Sequence, residues 1–320
     1  RKFLILIIPM GVNIRRACSM LHEEMQALNT DINRIIEILC SIDRKYRAQI
    51  RDHYTSQFGQ DLLDQLKDVE GPHFKELLEF LLKSTAAIRA EELYAAIRGK
   101  MLDEVTVVEI LCTTPKEEMD ALNEAYKSVL MAEGCKDPSI TFKRDLEEGL
   151  CTDHLQVIQG LLQTERNVTQ YVNVDHTLMK RFADDIRYFV DKENEEMLFD
   201  TLVYLFTTKS ASELKCILQE YMNIYQETIM DGIGRVLPAR NVKLFSAIHN
   251  VLLDPFTKRV STKEILDMKR IIIKSCEDDL TAFSRRFHEI HHIEIARWVQ
   301  KLPQGYDKQL LLTLLGRRNR

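Results

Sequence analysis

No window of the 320-residue sequence holds the roughly eighteen consecutive apolar residues that a membrane-spanning helix needs. Proline and glycine are scarce, at 7 and 11, which suits helices joined by short connections. The 7 cysteines are odd in number and include no CxxC pair, so they offer neither a zinc-finger nor a redox motif. They read as buried free thiols in a reducing, cytoplasmic setting, with Cys40, Cys112 and Cys216 where small apolar residues would pack. A formal net charge of -5 gives no basic excess, so nothing draws the chain toward nucleic acid. There is no phosphate loop, no dinucleotide fingerprint, no useful strand pattern and no low-complexity segment. The start, RKFLILIIPMGV, has two basic residues and a short apolar run but no small-x-small cleavage site before Arg15 and Arg16. It reads as a tail docked on the body.

What the sequence does contain is one module, four times over. Its first half is a helix–turn–helix unit at residues 35–58 (IIEILCSIDRKYRAQIRDHYTSQF), 107–130, 202–225 and 268–290. Its second half is an apolar closing helix: FKELLEFLL from Phe74, LQVIQGLL from Leu155, VKLFSAIHNVLL from Val242 and KQLLLTLLG from Lys308. Two linked halves recurring in order predict an all-helical repeat array. Leu39, Leu111, Phe206 and Ile272 set the register. The second interval is stretched by an insert at 133–143 and a link at 164–176; the third is compressed, so the fourth copy's opening helix is expected to be short or absent. Within the first copy, Ile35, Ile38 and Leu39 keep one apolar face, as do Ile50 and Tyr54, and Thr30-Asp31 precede a helix as N-caps do.

MQALNTDINRIIEIL, RAQIRDHYTSQFGQDLLDQLKD and FKELLEFLL, in that order, resemble the annexin family, and the second copy, AAIRGKMLDEVTVVEILCTTPKEEMDALNEAYK, agrees well. The resemblance covers about residues 15–316. The decay of its loops is most similar to that in the annexin-like alpha-giardins of a flagellate protist. The resemblance implies an all-α fold of four repeats, each of about five helices, arranged as a curved disc. The repeats would span 15–86, 87–168, 169–254 and a shortened 255–320, after a tail at 1–14. It also implies a convex face where Ca2+ bridges to anionic phospholipid. There a glycine-rich loop, Met-Lys-Gly-x-Gly-Thr, would turn carbonyls toward the ion and a later acidic side chain would add a carboxylate.

The four loops keep this pattern unevenly. In the first, Met25-Gln26-Ala27-Leu28-Asn29-Thr30-Asp31, both glycines are replaced, the second by Asn29, which tolerates left-handed backbone. The acidic position aligns to Val69, but a one-residue slip would restore Asp68 or Glu70. Met25, Ala27, Asn29 and Glu70 are therefore the candidate calcium ligands that the resemblance implies. In the second loop, Gly99 survives but Met101-Leu102 stands for Gly-Thr, and the acidic position is Gly149, just after Glu147 and Glu148. In the third, Glu196-Met197 stands for Gly-Thr and the acidic position falls near Val236-Leu237. In the fourth these are Thr262-Lys263 and Leu302. Few and weak calcium sites are expected. Glu193, Glu195 and Glu196 read as a solvated helix start.

One rival chemistry is written in the chain. His288-Glu289-Ile290-His291-His292 matches HExxH, whose histidines would share a helix face around Zn2+ with Glu289 as general base, so a zinc hydrolase is an alternative. The third ligand is lacking, because the position six residues beyond the motif is Trp298. The leading expectation is not an enzyme. It is a peripheral phospholipid-binding scaffold with weakened calcium dependence, at the plasma membrane or the cytoskeleton of a cell or its flagella. The other open reading is a microtubule-associated structural protein, partnered by tubulin or another cytoskeletal protein, with little lipid or calcium binding. Met101-Leu102 is a possible interfacial anchor, and the basic tail 316–320 a possible contact for anionic lipid or tubulin.

Overall fold

The computed structural model describes residues 14–66, 69, 73–137, 139–163, 174–253, 265–277 and 280–318. Among them there is no strand, and no helix is long and apolar enough to cross a membrane. In the first copy, α1 (Ile14–Gln26) turns Ala17, Cys18 and Leu21 inward. The carboxylate of Asp31 accepts from Asn33 N and Arg34 N at 3.0 and 3.2 Å, so the expected cap starts α2 (Ile32–Cys40). This helix buries Ile32, Ile35, Ile36, Ile38, Leu39 and Cys40, which are apolar around most of its circumference, and such a helix must run through the interior. α3 (Arg44–Phe58) stops where Gly59 enters the left-handed region at φ 68. Short α4 (Leu62–Gln65), capped by Asp61, leads to α5 (Phe74–Leu82), whose buried Phe74, Leu77, Leu78, Leu81 and Leu82 follow helical spacing.

The second copy repeats this order: α6 (Thr85–Arg98), α7 (Glu104–Thr113), a 3-10 turn at Lys116–Glu118, α8 (Met119–Ala132), α9 (Phe142–Gly149) and α10 (Thr152–Gln163). The third supplies α11 (His176–Asp191), α12 (Glu195–Thr208), α13 (Ala211–Tyr225), α14 (Ile229–Ile233) and α15 (Ala239–Leu253). The fourth supplies α16 (Ile265–Glu277), α17 (Leu280–His291), α18 (Ile295–Gln300) and α19 (Tyr306–Arg318). The four register residues are all interior, at 0, 3, 2 and 0% exposure. At one identical spacing after each comes a fully buried ring: Tyr54, Tyr126, Tyr221 and Phe287.

The helices gather into two compact units, one from α1–α5 and α16–α19, the other from α7–α15, with the boundary early in α6. In the first unit, α2 packs on α19, and α16 packs on α5 and α19, so the first and fourth copies share one core. In the second, α7 packs on α15 and α10 on α12, so the second and third copies share the other. Several polar groups inside are matched to partners. Arg47, fully buried, donates to the carbonyls of Leu39 and Ile42 at 3.0 and 2.6 Å, tying α3 to the end of α2. Lys269 and Asp307 form a buried ion pair between α16 and α19.

Several expectations change here. Cys18, Cys40 and Cys276 are buried, but Cys112, Cys135, Cys151 and Cys216 are half-buried: Cys112 and Cys216 lie toward the edges of their amphipathic helices, and Cys135 and Cys151 lie in connections between helices. The basic terminal stretch is not all tail, since α19 continues through Gly316 to Arg318. The docked N-terminal tail, most of the 164–176 link and the fourth copy's opening helix lie outside the described residues.

Candidate functional site

The loop between the first two helices of a repeat is the candidate site, and its root is set by the helix before it. In the first copy, Tyr54 Oη lies 3.0 Å from His22 Nδ1 and donates to Met25 Sδ at 3.5 Å, while the His22 ring stacks on Phe58 at 3.9 Å. The last turn of α1, with half-buried Met25, is thereby held on α3. Beyond it Ala27, Leu28, Asn29 and Thr30 are all exposed, Leu28 as fully as in an extended chain, at 105%. Asp31 then turns its carboxylate to the start of α2, where Oδ1 accepts from the backbone N–H groups of Asn33 and Arg34. Val69, at the aligned acidic position, is half-buried against the core, whereas Glu70 and Asp68 lie outside the described residues.

The second copy builds its root from charges. Arg98, the last residue of α6, grips Asp145 of α9 with two hydrogen bonds of 2.8 and 2.7 Å, and Tyr126 Oη donates to the same carboxylate at 2.7 Å. Burial opposes the charge on Asp145, but the Arg98 and Tyr126 hydrogen bonds outweigh it and hold the carboxyl below its usual range. Burial, reinforced by Asp145, pushes the Tyr126 phenol well up. A Cβ at Gly99 would lie 2.5 Å from the Ala95 carbonyl oxygen, so only glycine fits there. The Asp103 N–H closes the loop onto Ala96 O at 2.9 Å. Met101 stands out at 84% exposure. A methyl of Leu102 lies 4.0 Å from where a side chain on Gly149 would begin. An apolar group thus sits over the position that the family gives to a carboxylate.

In the third copy α11 runs on to Asp191, and only Lys192, Glu193 and Asn194 separate it from α12. Asn194 is the cap, accepting from Met197 N at 3.1 Å, and Glu193 takes the left-handed turn at φ 50. Glu196 and Met197 therefore belong to the first turn of α12 and not to the loop, which is shorter than the aligned sequences suggest. Glu193, Glu195 and Glu196 are exposed at this helix start, as expected. Beneath it Glu227 accepts from Arg187 at 2.5 Å, from Arg235 at 2.6 and 3.0 Å and from Tyr221 at 3.0 Å. The Arg235 hydrogen bonds, acting against desolvation, bring the Glu227 carboxyl down to about 2. Burial, with Glu227, pushes the Tyr221 phenol up to about 12. Leu237, near the aligned acidic position, is core.

The fourth loop lies outside the described residues, but its partner position does not: Leu302 is buried, and its carbonyl accepts from Lys308 Nζ at 3.1 Å. An ammonium thus occupies that turn.

Calcium needs several converging oxygens. None of residues 27–31 or 99–103 adopts positive φ, so these loops do not make the sharp turn that glycines would allow. The second and third copies, and the Leu302 turn of the fourth, carry no side-chain oxygen at the aligned acidic position, which holds Gly149, the Val236-Leu237 pair and Leu302. In the first copy the candidate ligands Met25, Ala27 and Asn29 stand at the end of α1 and in the exposed loop that follows it.

The HExxH pattern dissolves in three dimensions. α17 ends at His291, and His292 takes φ 54, leaving the helix; Glu289 pairs with Arg286 at 2.8 Å. His291 and His292 instead line a shallow surface depression with Ile293, Arg297, Trp298 and Lys301. Among the described residues no group of three metal-ligating side chains forms there. Sequence reasoning missed both Arg–carboxylate roots, whose partners are 47 and 40 residues apart in the chain.

The annexin family model matches residues 16–81, the first copy. Annexin A13 of Schistosoma japonicum is 27% identical over 317 residues, covering 92% of this chain and 89% of that protein. Annexin A4 of Mus musculus is 27% identical over 321 residues, covering 96% and 95%. Among solved structures, calcium-bound annexin (Sm)1 superposes with a TM-score of 0.76 at 23% identity over 95% of this chain and 90% of its own. Calcium-bound alpha-14 giardin does so at 0.64 with 15% identity over 94% and 99%. The fold is the all-α annexin fold. As a family, annexins bind phospholipid in a calcium-dependent manner and are generally non-enzymatic. With a family match on its first repeat, relatives along its whole length and the shared fold, the chain is similar to annexins from end to end.

Proposed function

We propose that the protein is a peripheral phospholipid-binding scaffold at the membrane–cytoskeleton boundary, in which apolar loop tips take over part of the work that calcium does in the family. The observation that carries this reading is the exposure of Leu28 and Met101, at 105% and 84%, each at the tip of a loop between the first two helices of its repeat. Such side chains gain nothing from water; burying each in an apolar phase is worth about 1.5–3 kcal/mol. Stable peripheral attachment takes two signals, so the tips alone give weak binding and a second contribution is needed. In the first copy, the carbonyls of Met25, Ala27 and Asn29, with Glu70, would hold Ca2+, which when bound supplies a bridge to lipid phosphate. Calcium then strengthens attachment through few and weak sites.

Co-sedimentation with anionic phospholipid vesicles, in calcium and in chelator, tests this. The chain should pellet in both conditions, more strongly with calcium. Leu28→Asp with Met101→Asp should lower vesicle affinity by on the order of tenfold or more in either condition. Calorimetric titration with calcium should show few, weak binding events; several tight sites would overturn the weakened dependence. Failure to pellet with vesicles in either condition, combined with pelleting on microtubules, would replace this reading with the cytoskeletal one.

A further inference from the structure

The structure places three metal-ligating side chains together at the end of α11 away from its loop. We propose that His176, Cys216 and Glu220 form a binding site for a borderline divalent transition ion of the zinc class. His176 Nδ1 lies 3.4 Å from Cys216 Sγ and 3.9 Å from Glu220 Oε1, and the three ligand atoms all lie within 4.8 Å of one another. Tetrahedral zinc, with bonds of about 2.0–2.3 Å, holds such atoms about 3.3–3.6 Å apart. The nitrogen–sulfur pair is already at that separation, and the carboxylate, 3.9 Å from the nitrogen, has to close in on them.

The frame around the three is rigid. Cys216 and Glu220 are one helical turn apart on α13, hence on one face. A capping box between Ser210 and Glu213 fixes the start of that helix. Asp175 caps α11, accepting from Thr177 N and Leu178 N at 3.0 and 3.1 Å, and so fixes His176 as its first residue. α11 packs along α13, with Met179, Ala183 and Ile186 in the same core as Leu214, Ile217 and Tyr221. The His176 side chain is 76% exposed, leaving it room to close on an ion and leaving a fourth position open to water.

The donor chemistry selects the ion. One nitrogen, one sulfur and one carboxylate suit zinc, cobalt or copper, whereas calcium and magnesium require mostly oxygen. Thiolate and carboxylate together neutralise a divalent charge, and binding releases the Cys216 thiol proton to solvent. The site is distinct from the calcium loops: α11 rises about 1.5 Å per residue, which separates His176 from the loop at its far end by about 22 Å.

Titration of the calcium-free full chain with cobalt tests the site. Wild type should develop a thiolate-to-cobalt charge-transfer absorption that saturates at one equivalent and is displaced by zinc. Cys216→Ser should abolish the band. His176→Ala, at an exposed helix end, should weaken cobalt binding by on the order of tenfold or more. Cys112→Ser should leave the band unchanged. The proposal falls if wild type shows no band, if the band persists in folded Cys216→Ser, if His176→Ala binds like wild type, or if excess calcium displaces the cobalt.

Discussion

Tyr54 and Tyr126 hold the same place in their repeats, both fully buried, yet they stand on opposite chemistry. Tyr54 meets a histidine nitrogen and a thioether. Tyr126 donates to a carboxylate locked by an arginine, and Tyr221 in the third copy does the same with Glu227. The ring is a packing requirement of the fold, so it persists. The partner of its hydroxyl needs only to satisfy one buried polar group, and either solution does so. The consequence falls on the loop root. In the second and third copies the carboxylate that meets the tyrosine is held by arginine, whereas in the first copy the tyrosine meets a histidine and a thioether.

The largest effect should come from breaking the charged root. Asp145→Ala leaves Arg98 without its partner and Tyr126 without its acceptor. It should destabilise the α7–α15 unit by about 2–3 kcal/mol in urea unfolding, below the fully buried case because Arg98 is partly exposed. Acid should separate the two roots next. Both Asp145 and Glu227 have folded carboxyl pKa values below their unfolded ones, so their stabilisation is present above the unfolded values and is lost as pH falls through the folded ones. The α7–α15 unit should weaken from about pH 4 down toward pH 2, and hydrogen exchange of α8 and α13 amides should report it. Glu227→Gln should flatten part of that profile. The smallest effects sharpen the contrast: Tyr126→Phe, which strips a donor from a charged acceptor, should cost about 1.5 kcal/mol, but Tyr54→Phe only about 0.5–1 kcal/mol. Equal costs would mean that the two roots are energetically alike.

Much of the scaffold was legible because helices announce themselves locally. Apolar spacing located α2, α5 and their counterparts, and Asp31 followed by a periodic run marked a helix start that the cap geometry bears out. Local patterns also misled. HExxH presumes a continuous helix, but the left-handed backbone at His292 ends it. The third loop was placed too late because α11 continues through Asp191, and aligned sequence alone does not reveal where a helix stops. Cys216 read as a core thiol, but it faces His176 at the surface, 40 residues away in the chain.

The sequence by itself determined the repeat, the all-α class and the register residues, because each of these is a matter of residue type at short, periodic spacing. Only the tertiary structure decided that the first copy shares a core with the fourth and the second with the third, that Arg98 reaches Asp145, and that Leu102 covers Gly149. Those are contacts between distant segments. Their energies depend on how helices pack against one another, and side-chain periodicity along one helix carries no record of which neighbour it will meet.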